Sequence, residues 1–247
     1  MDQPLRRNSE QPLAQLYPLG DAAVVLQFGE VINEATHRTI QAVGAYLNQH
    51  PFPGFLEYVP AFTTLTVYYD PWLASQAGRQ NPYKRVAKLL HQLLEQVPAI
   101  DAEATSAVVE IPVCYGGPFG PDMEFLTRHT GLTPEEVIRL HTEPDYLVYM
   151  LGFAPGFPYL GGMNATLTAP RKTQPRTLVP AGSVGIAGAQ TGIYSLPTPG
   201  GWQLIGRTPR RLFTPEAASP SLLRAGQRLR FVPISQDEYA HLQEHEL

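Results

Sequence analysis

Apolar and polar positions in the first hundred residues predict a domain of strands and helices. Short apolar runs closed by glycine, proline or aspartate are typical of strands, and apolar side chains at helical spacing after an asparagine predict helices. The strands are predicted at residues 22–28, 55–59, 62–69 and 107–113, and the helices at residues 33–48 and 81–97. This β-α-β-β-α-β order predicts a ferredoxin-like α/β sandwich over residues 15–105, preceded by a loose polar tail at residues 1–14. The strand at 107–113 either completes this domain or opens the next one.

The pattern changes in a second predicted domain, residues 106–247. It starts with two helices, and the second begins at Thr133 with a capping box. Residues 146–215 then hold 11 glycines and 9 prolines in 70 positions, a density of helix breakers that excludes helices of ordinary length. Many short strands joined by such turns predict a small closed barrel or sandwich. A terminal helix begins at Ser235. The predicted fold class is therefore α+β.

Composition excludes several classes of protein. The chain has 247 residues and a net charge of −4, so bulk attraction to nucleic acid or anionic membrane is not expected. Neither a signal-peptide core nor a stretch of the ~20 apolar residues needed to span a membrane is found. The one cysteine, Cys114, fits a reducing compartment, and we expect a cytoplasmic protein. Cys114 is either a nucleophile that needs a histidine partner or a small buried residue on a strand.

Charge is distributed unevenly. Residues 146–215 contain no Asp, Glu or His, while their six cationic residues are Arg171, Lys172, Arg176, Arg207, Arg210 and Arg211. This asymmetry indicates an anion-binding surface, because the guanidinium group suits carboxylate or phosphate. The alternative is that these cations pair with carboxylates of the helices at 121–143 and stabilise the domain.

The same stretch lacks any ordinary acid–base group, so it resembles half of an active site. A base would come from another protein chain or from the residues just upstream, which are His129, His141, Glu143 and Asp145. No glycine loop has the spacing of a P-loop, so this chain is not expected to bind ATP by that route. His241 and His245 lack a third ligand nearby, and no metal site is predicted.

An aromatic, proline- and glycine-rich loop spans residues 150–162. Its prolines restrict the backbone, and Phe153, Phe157 and Tyr159 offer rigid apolar surface. Such a loop either walls a pocket or binds a partner; a packed hinge between domains is the alternative.

Several segments together form a recognisable signature. They are residues 111–117, 120–122, 146–162, 175–177, 179–188, 190–194 and 199–209. This pattern resembles the KipI family, which is also known as the family of 5-oxoprolinase B subunits (PxpB) or of allophanate hydrolase subunit 1. The resemblance covers about residues 15–235 and is strongest over 110–210.

The resemblance implies a cyclophilin-like β-barrel for residues 106–247. It also implies that the chain is the non-autonomous B subunit of an ATP-dependent 5-oxoprolinase. Such an enzyme converts 5-oxoproline to L-glutamate, and the B subunit works with a KipA-type C subunit and an A subunit. ATP would serve the complex, and the isolated chain would be inactive. Two alternatives stay open. One is a KipI-like inhibitor that binds a sporulation sensor histidine kinase, and the other is a component of a urea- or allophanate-type carboxyltransferase or amidohydrolase.

Candidate site residues follow from the cationic stretch and the aromatic loop. Arg176 and Arg207 are predicted to bind the substrate carboxylate, and Gln190 to orient an amide group. The predicted pocket walls, or partner-binding lip, are Phe153, Phe157, Tyr159 and Trp202.

Overall fold

The computed structural model describes residues 13–98 and 107–245. The chain divides into two compact units, Met1–Ala104 and Thr105–Leu247. Residues 1–12 of the predicted tail lie outside the described residues. The last two tail residues, Leu13 and Ala14, pack against the core of the first unit. No helix in the described ranges combines the length and the apolar composition needed to cross a membrane.

In its described residues, 13–98, the first unit is a four-stranded antiparallel sheet with three helices. Its elements are β1 (Gln15–Pro18), β2 (Ala23–Gln27), α1 (Glu34–Gln49), β3 (Phe55–Pro60), β4 (Thr64–Tyr69), α2 (Pro71–Ala74) and α3 (Pro82–Gln96). The strand order is β1-β2-β4-β3. Asn33 and Asn81 cap α1 and α3 as predicted, each accepting a hydrogen bond from a backbone N–H of the first turn.

The core of this unit follows from the alternation of β4, in which Leu65, Val67 and Tyr69 are buried. They share one apolar cluster with Ile40 of α1 and Leu90 of α3. The α/β sandwich is thus present, but its fourth strand is β1 and not the predicted strand at 107–113. The turn at Gly20, where φ is +64°, lets β1 fold back on β2, and the later strand pairs elsewhere.

The second unit consists of a barrel, a small two-stranded sheet and three helices. Its elements are β5 (Val109–Tyr115), α4 (Met123–Thr130), α5 (Pro134–Thr142), β6 (Tyr146–Leu151), β7 (Pro158–Gly161), a 3₁₀ turn (Ala165–Leu167), β8 (Arg176–Val179), β9 (Ser183–Ala187), β10 (Gln190–Ile193), β11 (Thr198–Gly200), β12 (Gln203–Arg207), β13 (Arg228–Pro233) and α6 (Gln236–His245). Seven strands close the barrel in the order β10-β7-β6-β13-β5-β12-β9, and β8 pairs with β11 separately.

The closed barrel confirms the short-strand prediction for this domain. Every neighbouring pair is antiparallel except β13 with β5. Branched apolar side chains fill its interior, among them Ile111, Val148, Val184, Ile186 and Ile205. The predicted capping boxes are also present: Thr133 and Glu136 bond reciprocally at α5, and Ser235 and Glu238 do so before α6.

Candidate functional site

A buried carboxylate holds two of the six cations. Asp122, at the start of α4, is only 5% exposed. Its Oδ1 accepts hydrogen bonds from Lys172 Nζ at 3.0 Å and from Arg176 Nη2 at 2.8 Å, and its Oδ2 accepts one from the Leu204 N–H at 2.7 Å. Burial raises the pKa of Asp122, but the bonds from Arg176, Leu204 and Lys172 outweigh it and hold that pKa below its ordinary value.

This arrangement gives Arg176 a structural partner, while its predicted role as an anion ligand stays a prediction. The alternative reading, that cations of the stretch pair with carboxylates near residues 121–143, holds for Arg176 and Lys172. Arg176 begins β8, and its guanidinium extends to Asp122 at the start of α4. Its Nη2 is therefore committed to a carboxylate of the fold, which Lys172 shares, while its Nη1 is buried without a hydrogen-bond partner among the described residues.

Four predicted wall residues meet at one cavity of about 350 Å³, here called the aromatic cavity. It is lined by Phe153, Phe157, Tyr159, Arg171, Lys172, Pro175, Tyr194, Pro199, Gly200, Gly201 and Trp202. The Phe157 ring lies at the centre of the aromatic cluster in its wall, with centroids 5.1 Å from Tyr159, 5.4 Å from Tyr194 and 5.6 Å from Trp202. Gly192 supports this packing, because a Cβ there would lie 3.0 Å from the Phe157 ring. The cavity thus has a closely packed aromatic wall, and Arg171 and Lys172 also line it.

The loop at residues 152–157 forms one edge of this cavity. Phe153 has φ of +68°, a left-handed conformation that is unfavourable for a bulky residue, and its side chain is 64% exposed. Its ring contacts Phe157 and Tyr194 edge-on. Ser195 Oγ donates a 2.6 Å hydrogen bond to the carbonyl of Pro155 and fixes the loop. Strain held in place at a cavity edge is a common feature of binding sites.

Arg171 is the available cation of the aromatic cavity. It is exposed at the rim, and it makes no hydrogen bond or ion pair with any other residue in the described part of the chain. Sequence reasoning counted Arg171 among the six cations without selecting it, because nothing in the sequence shows that the neighbouring Lys172 is bound to Asp122.

Arg207 lies at a different cavity, of about 290 Å³, here called the arginine cavity. Its lining residues are Ala181, Gly182, Ser195, Leu196, Arg207, Thr208, Pro209, Arg210, Arg211, Phe213, Thr214, Pro215, Glu216, Tyr239 and Gln243. Arg207 ends β12, as predicted from its sequence position. Gln190, at the start of β10, lines neither cavity. The structure therefore does not bring Arg176, Gln190 and Arg207 together.

The upstream acid–base candidates do not line the two cavities either. Glu143 pairs with Arg139 on the exposed face of α5, at 3.4 Å, and Asp145 pairs with Arg230 at 2.7 Å. His129 stacks on Phe125. Within the described residues, the lining of the aromatic cavity contains no Asp, Glu or His.

His141 is fully buried in a hydrogen-bonded chain that sequence reasoning missed. The Tyr115 hydroxyl donates to Nδ1 at 2.8 Å, Nε2–H donates to Thr191 Oγ1 at 2.9 Å, and that hydroxyl donates to the Gly185 carbonyl at 3.1 Å. Burial lowers the pKa of His141 to about 3, so the ring is neutral at pH 7. His141 therefore joins α5 to β5, β9 and β10, and with both ring nitrogens bonded and no exposed surface it contacts neither cavity.

Cys114 is a structural residue. It lies in β5 with 3% of its surface exposed, and burial raises the pKa of its thiol. The reading as a small buried residue is correct, because a nucleophile needs an accessible thiolate.

Comparison with known proteins identifies a family and several relatives of this chain. Residues 14–223 match the family described as carboxyltransferase domain, subdomain C and D. The 5-oxoprolinase B subunit of Bacillus subtilis (strain 168) is 52% identical over 228 residues, which are 91% of this chain and 95% of that protein. The 5-oxoprolinase B subunit of Escherichia coli O157:H7 is 41% identical over 223 residues, 89% of this chain and 96% of that protein.

A solved structure resembles this chain in fold as well as in sequence. The crystal structure of TTHA0988 superposes with a TM-score of 0.74 at 41% identity and covers 86% of this chain. The aligned part is 40% of the TTHA0988 chain, so this chain corresponds to less than half of that protein.

Proposed function

Because this chain belongs to the family of carboxyltransferase domains, subdomain C and D, and is similar over most of its length to 5-oxoprolinase B subunits, we propose that it is the B subunit of a 5-oxoprolinase. The observation that carries the proposal is the 52% identity over 91% of the chain. The reaction adds water across the lactam C–N bond of 5-oxoproline and gives the carboxylate and the amine of glutamate. Coupling to ATP hydrolysis drives this opening of an unactivated amide.

The aromatic cavity is the proposed place for 5-oxoproline. Phe157, Tyr159 and Trp202 provide flat apolar surface for the five-membered ring, and a cavity of about 350 Å³ accommodates it. In this proposal Arg171 binds the substrate carboxylate, because it lines the cavity and has no ion pair with the described residues, whereas Arg176 and Lys172 both bond to Asp122. A carboxylate entering this cavity meets no acidic side chain among the lining residues.

The catalytic base and the site of ATP hydrolysis belong, in this proposal, to the partner chains, which are the KipA-type C subunit and the A subunit. The proposal is supported by the lining of the aromatic cavity, which offers cations, aromatic rings and glycines but no general base. The isolated chain would then neither open 5-oxoproline nor hydrolyse ATP. The family description names a carboxyltransferase domain, but the relatives at 52% and 41% identity over most of the chain are 5-oxoprolinase B subunits, and we therefore prefer this reading to the carboxyltransferase alternative.

The test is reconstitution with the A and C subunits and measurement of ATP-dependent glutamate release. We expect turnover by the three-subunit complex and none by this chain alone. Arg171→Gln should raise KM for 5-oxoproline at least about tenfold, the scale of one charge-assisted hydrogen bond. The matched control is Arg128→Gln, since Arg128 is an exposed residue of α4 whose partner is Glu124 at 3.7 Å.

Each outcome addresses a different part of the proposal. No glutamate from the complete complex would refute the function. Steady turnover by this chain alone would refute its dependence on partners. An unchanged KM in Arg171→Gln, with turnover intact, would show that the substrate does not bind in the aromatic cavity. The proposed function itself would not be contradicted.

A further inference from the structure

The arginine cavity is a second cationic site that the proposed reaction does not use. Three of its lining residues are arginines, Arg207, Arg210 and Arg211, and one is acidic, Glu216, which is exposed. None of its lining residues is shared with the aromatic cavity. A concave surface with this excess of guanidinium groups favours a multiply charged oxyanion.

Arg207 is held in a fixed orientation. Its Nε donates a 2.9 Å hydrogen bond to the carbonyl of Ala181, and this is the one hydrogen bond that it makes to the described residues. It has no ion pair with a carboxylate in that part of the chain. The anchored Nε leaves the two terminal nitrogens, which carry four of the five N–H donors, for a ligand. A fixed guanidinium loses little conformational entropy when it binds.

The backbone beside Arg207 is equally well ordered. Gly182 has φ of +80°, and its carbonyl accepts a 2.9 Å bond from the Thr208 N–H. A Cβ at Gly182 would collide with the Thr208 carbonyl, so glycine is required for this close approach. Thr208 Oγ1 accepts from the Arg210 N–H at 3.2 Å, which sets the turn that leads to the second arginine. The cavity wall is thus preformed.

We propose that the arginine cavity is a phosphate-binding site, which takes the phosphoryl group of a nucleotide or inorganic phosphate. The terminal nitrogens of Arg207, in a cavity that Arg210 and Arg211 also line, suit a doubly charged tetrahedral group better than a single carboxylate. The volume of about 290 Å³ exceeds that of a bare ion and admits part of an ester attached to it. The proposal does not depend on which substrate occupies the aromatic cavity.

The loop at residues 152–157 lies between the two cavities. Phe153 and Phe157 line the aromatic cavity, while a Cβ at Gly156 would lie 2.9 Å from Phe213 Cβ, in the lining of the arginine cavity. Ser195 lines the arginine cavity and bonds the same loop through the Pro155 carbonyl. Residues that line the arginine cavity therefore also hold the edge of the aromatic cavity.

The experiment measures binding to the purified full chain by calorimetry and by thermal shift. The probes are inorganic phosphate, ADP and ATP, with acetate as the carboxylate comparator at equal ionic strength. We expect phosphate or a nucleotide to bind and acetate not to compete. Whichever of free phosphate and nucleotide binds more tightly identifies the source of the phosphoryl group.

Two kinds of variant locate the site. Arg207→Gln should weaken binding at least about tenfold, and Arg207→Lys should weaken it less, because charge remains while the planar fork is lost. Arg171→Gln, at the other cavity, should leave phosphate affinity unchanged. If Arg207 variants unfold, Gln243→Glu gives an independent test. It places a carboxylate on the exposed side of α6 at the cavity and should weaken binding severalfold, whereas Gln243→Ala should not.

Three results would overturn the proposal. The first is no phosphate or nucleotide binding by the unmodified chain. The second is equal affinity in the unmodified chain, Arg207→Gln and Gln243→Glu. The third is competition by acetate as effective as that by phosphate, which would make the cavity a general carboxylate site. None of these results bears on glutamate release, so the proposed function is tested separately.

Discussion

The stretch at residues 146–215, which has no acidic residue, contains two pairs of cations with different surroundings. Lys172 and Arg176 both bond to the buried Asp122, at 3.0 and 2.8 Å, while Arg171 and Arg207 line separate cavities and have no carboxylate partner among the described residues. Arg171 and Lys172 are adjacent in sequence. A single carboxylate contributed from outside the stretch therefore decides which cations stabilise the fold and which are available to a ligand.

This difference limits what a local charge count can show. The six cations indicate an anion-binding region, yet two of them share ion pairs with one carboxylate, which precedes them by 50 and 54 positions and offsets one of their two charges. The excess charge of the region is real, but it is concentrated at the two cavities. The predictions below test this division, from the largest expected effect to the smallest.

Replacing the shared carboxylate should cost the most stability. Asp122→Asn leaves two cations beside an amide that cannot balance them, and we expect a loss of roughly 3 kcal/mol in the free energy of unfolding, the scale for breaking a buried ion pair. The matched control is Arg171→Gln, which removes a cation without a partner and should change stability by less than about 0.5 kcal/mol. Urea unfolding monitored by fluorescence measures both.

Equal losses in the two variants would contradict the division into paired and available cations. If Asp122→Asn lost only a little unfolding free energy, solvent at Lys172 and Arg176 would compensate for the missing charge. Their side chains are 30% and 25% exposed.

Stability should next depend on pH in two separate windows. His141 has a pKa of about 3 in the folded chain and about 6.5 when unfolded, so the unfolded state binds a proton that the native state excludes as pH falls from 6.5. The expected loss is up to about 1.4 kcal/mol per pH unit, or about 2 kcal/mol at pH 5. Asp122 contributes stability above its unfolded pKa, and this contribution is lost only as pH falls below about 4.

Two variants separate these windows. His141→Gln should flatten the dependence between pH 6.5 and 4, and Asp122→Asn should flatten it only below that range. The ion pairs of Lys172 and Arg176 should therefore survive at pH 5. If the stability of His141→Gln still fell between pH 6.5 and 4 as steeply as that of the wild type, groups other than His141 would cause this dependence.

The smallest effect concerns Phe153, on the loop between the cavities. Phe153→Asn and Phe153→Ala both remove the ring, but asparagine tolerates a φ of +68° better than alanine does. Asn should therefore be more stable than Ala by about 0.5–1 kcal/mol, while both raise KM for 5-oxoproline to the same extent. Equal melting temperatures in the two variants would show that this residue carries no backbone strain.

Local signals in the sequence were sufficient for most elements. The asparagine caps, the Thr133 capping box and the density of glycine and proline each act within a few residues, and they predicted α1, α3, α5 and the barrel. The strand β1 was not predicted, because Gln15–Pro18 is short and mostly exposed. It forms a strand through its pairing with β2. Fold class was therefore predictable, and the fourth strand of the first sheet was not.

The candidate site was predictable only in part. Phe153, Phe157, Tyr159 and Trp202 do meet, since the loop and the short strands that carry them are close in the barrel. The functional distinction between Arg171 and Arg176 depends on a contact with Asp122 across 54 positions, and no periodicity or spacing encodes it. Tyr194 was missed for a similar reason: its ring completes the cavity only once β10 lies beside β7.

The parallel pairing of β5 with β13 has a consequence for biosynthesis. It joins Val109 to Leu229, about 120 residues apart, so the barrel cannot close until the chain has been made as far as Pro233. The sheet of the first unit, in contrast, needs only residues that are translated early, and it can form while the ribosome is still at work. Until closure, β5 and β6 present open edges that can pair with other chains. A nascent chain stalled before residue 228 would therefore carry a finished first unit and an aggregation-prone second one.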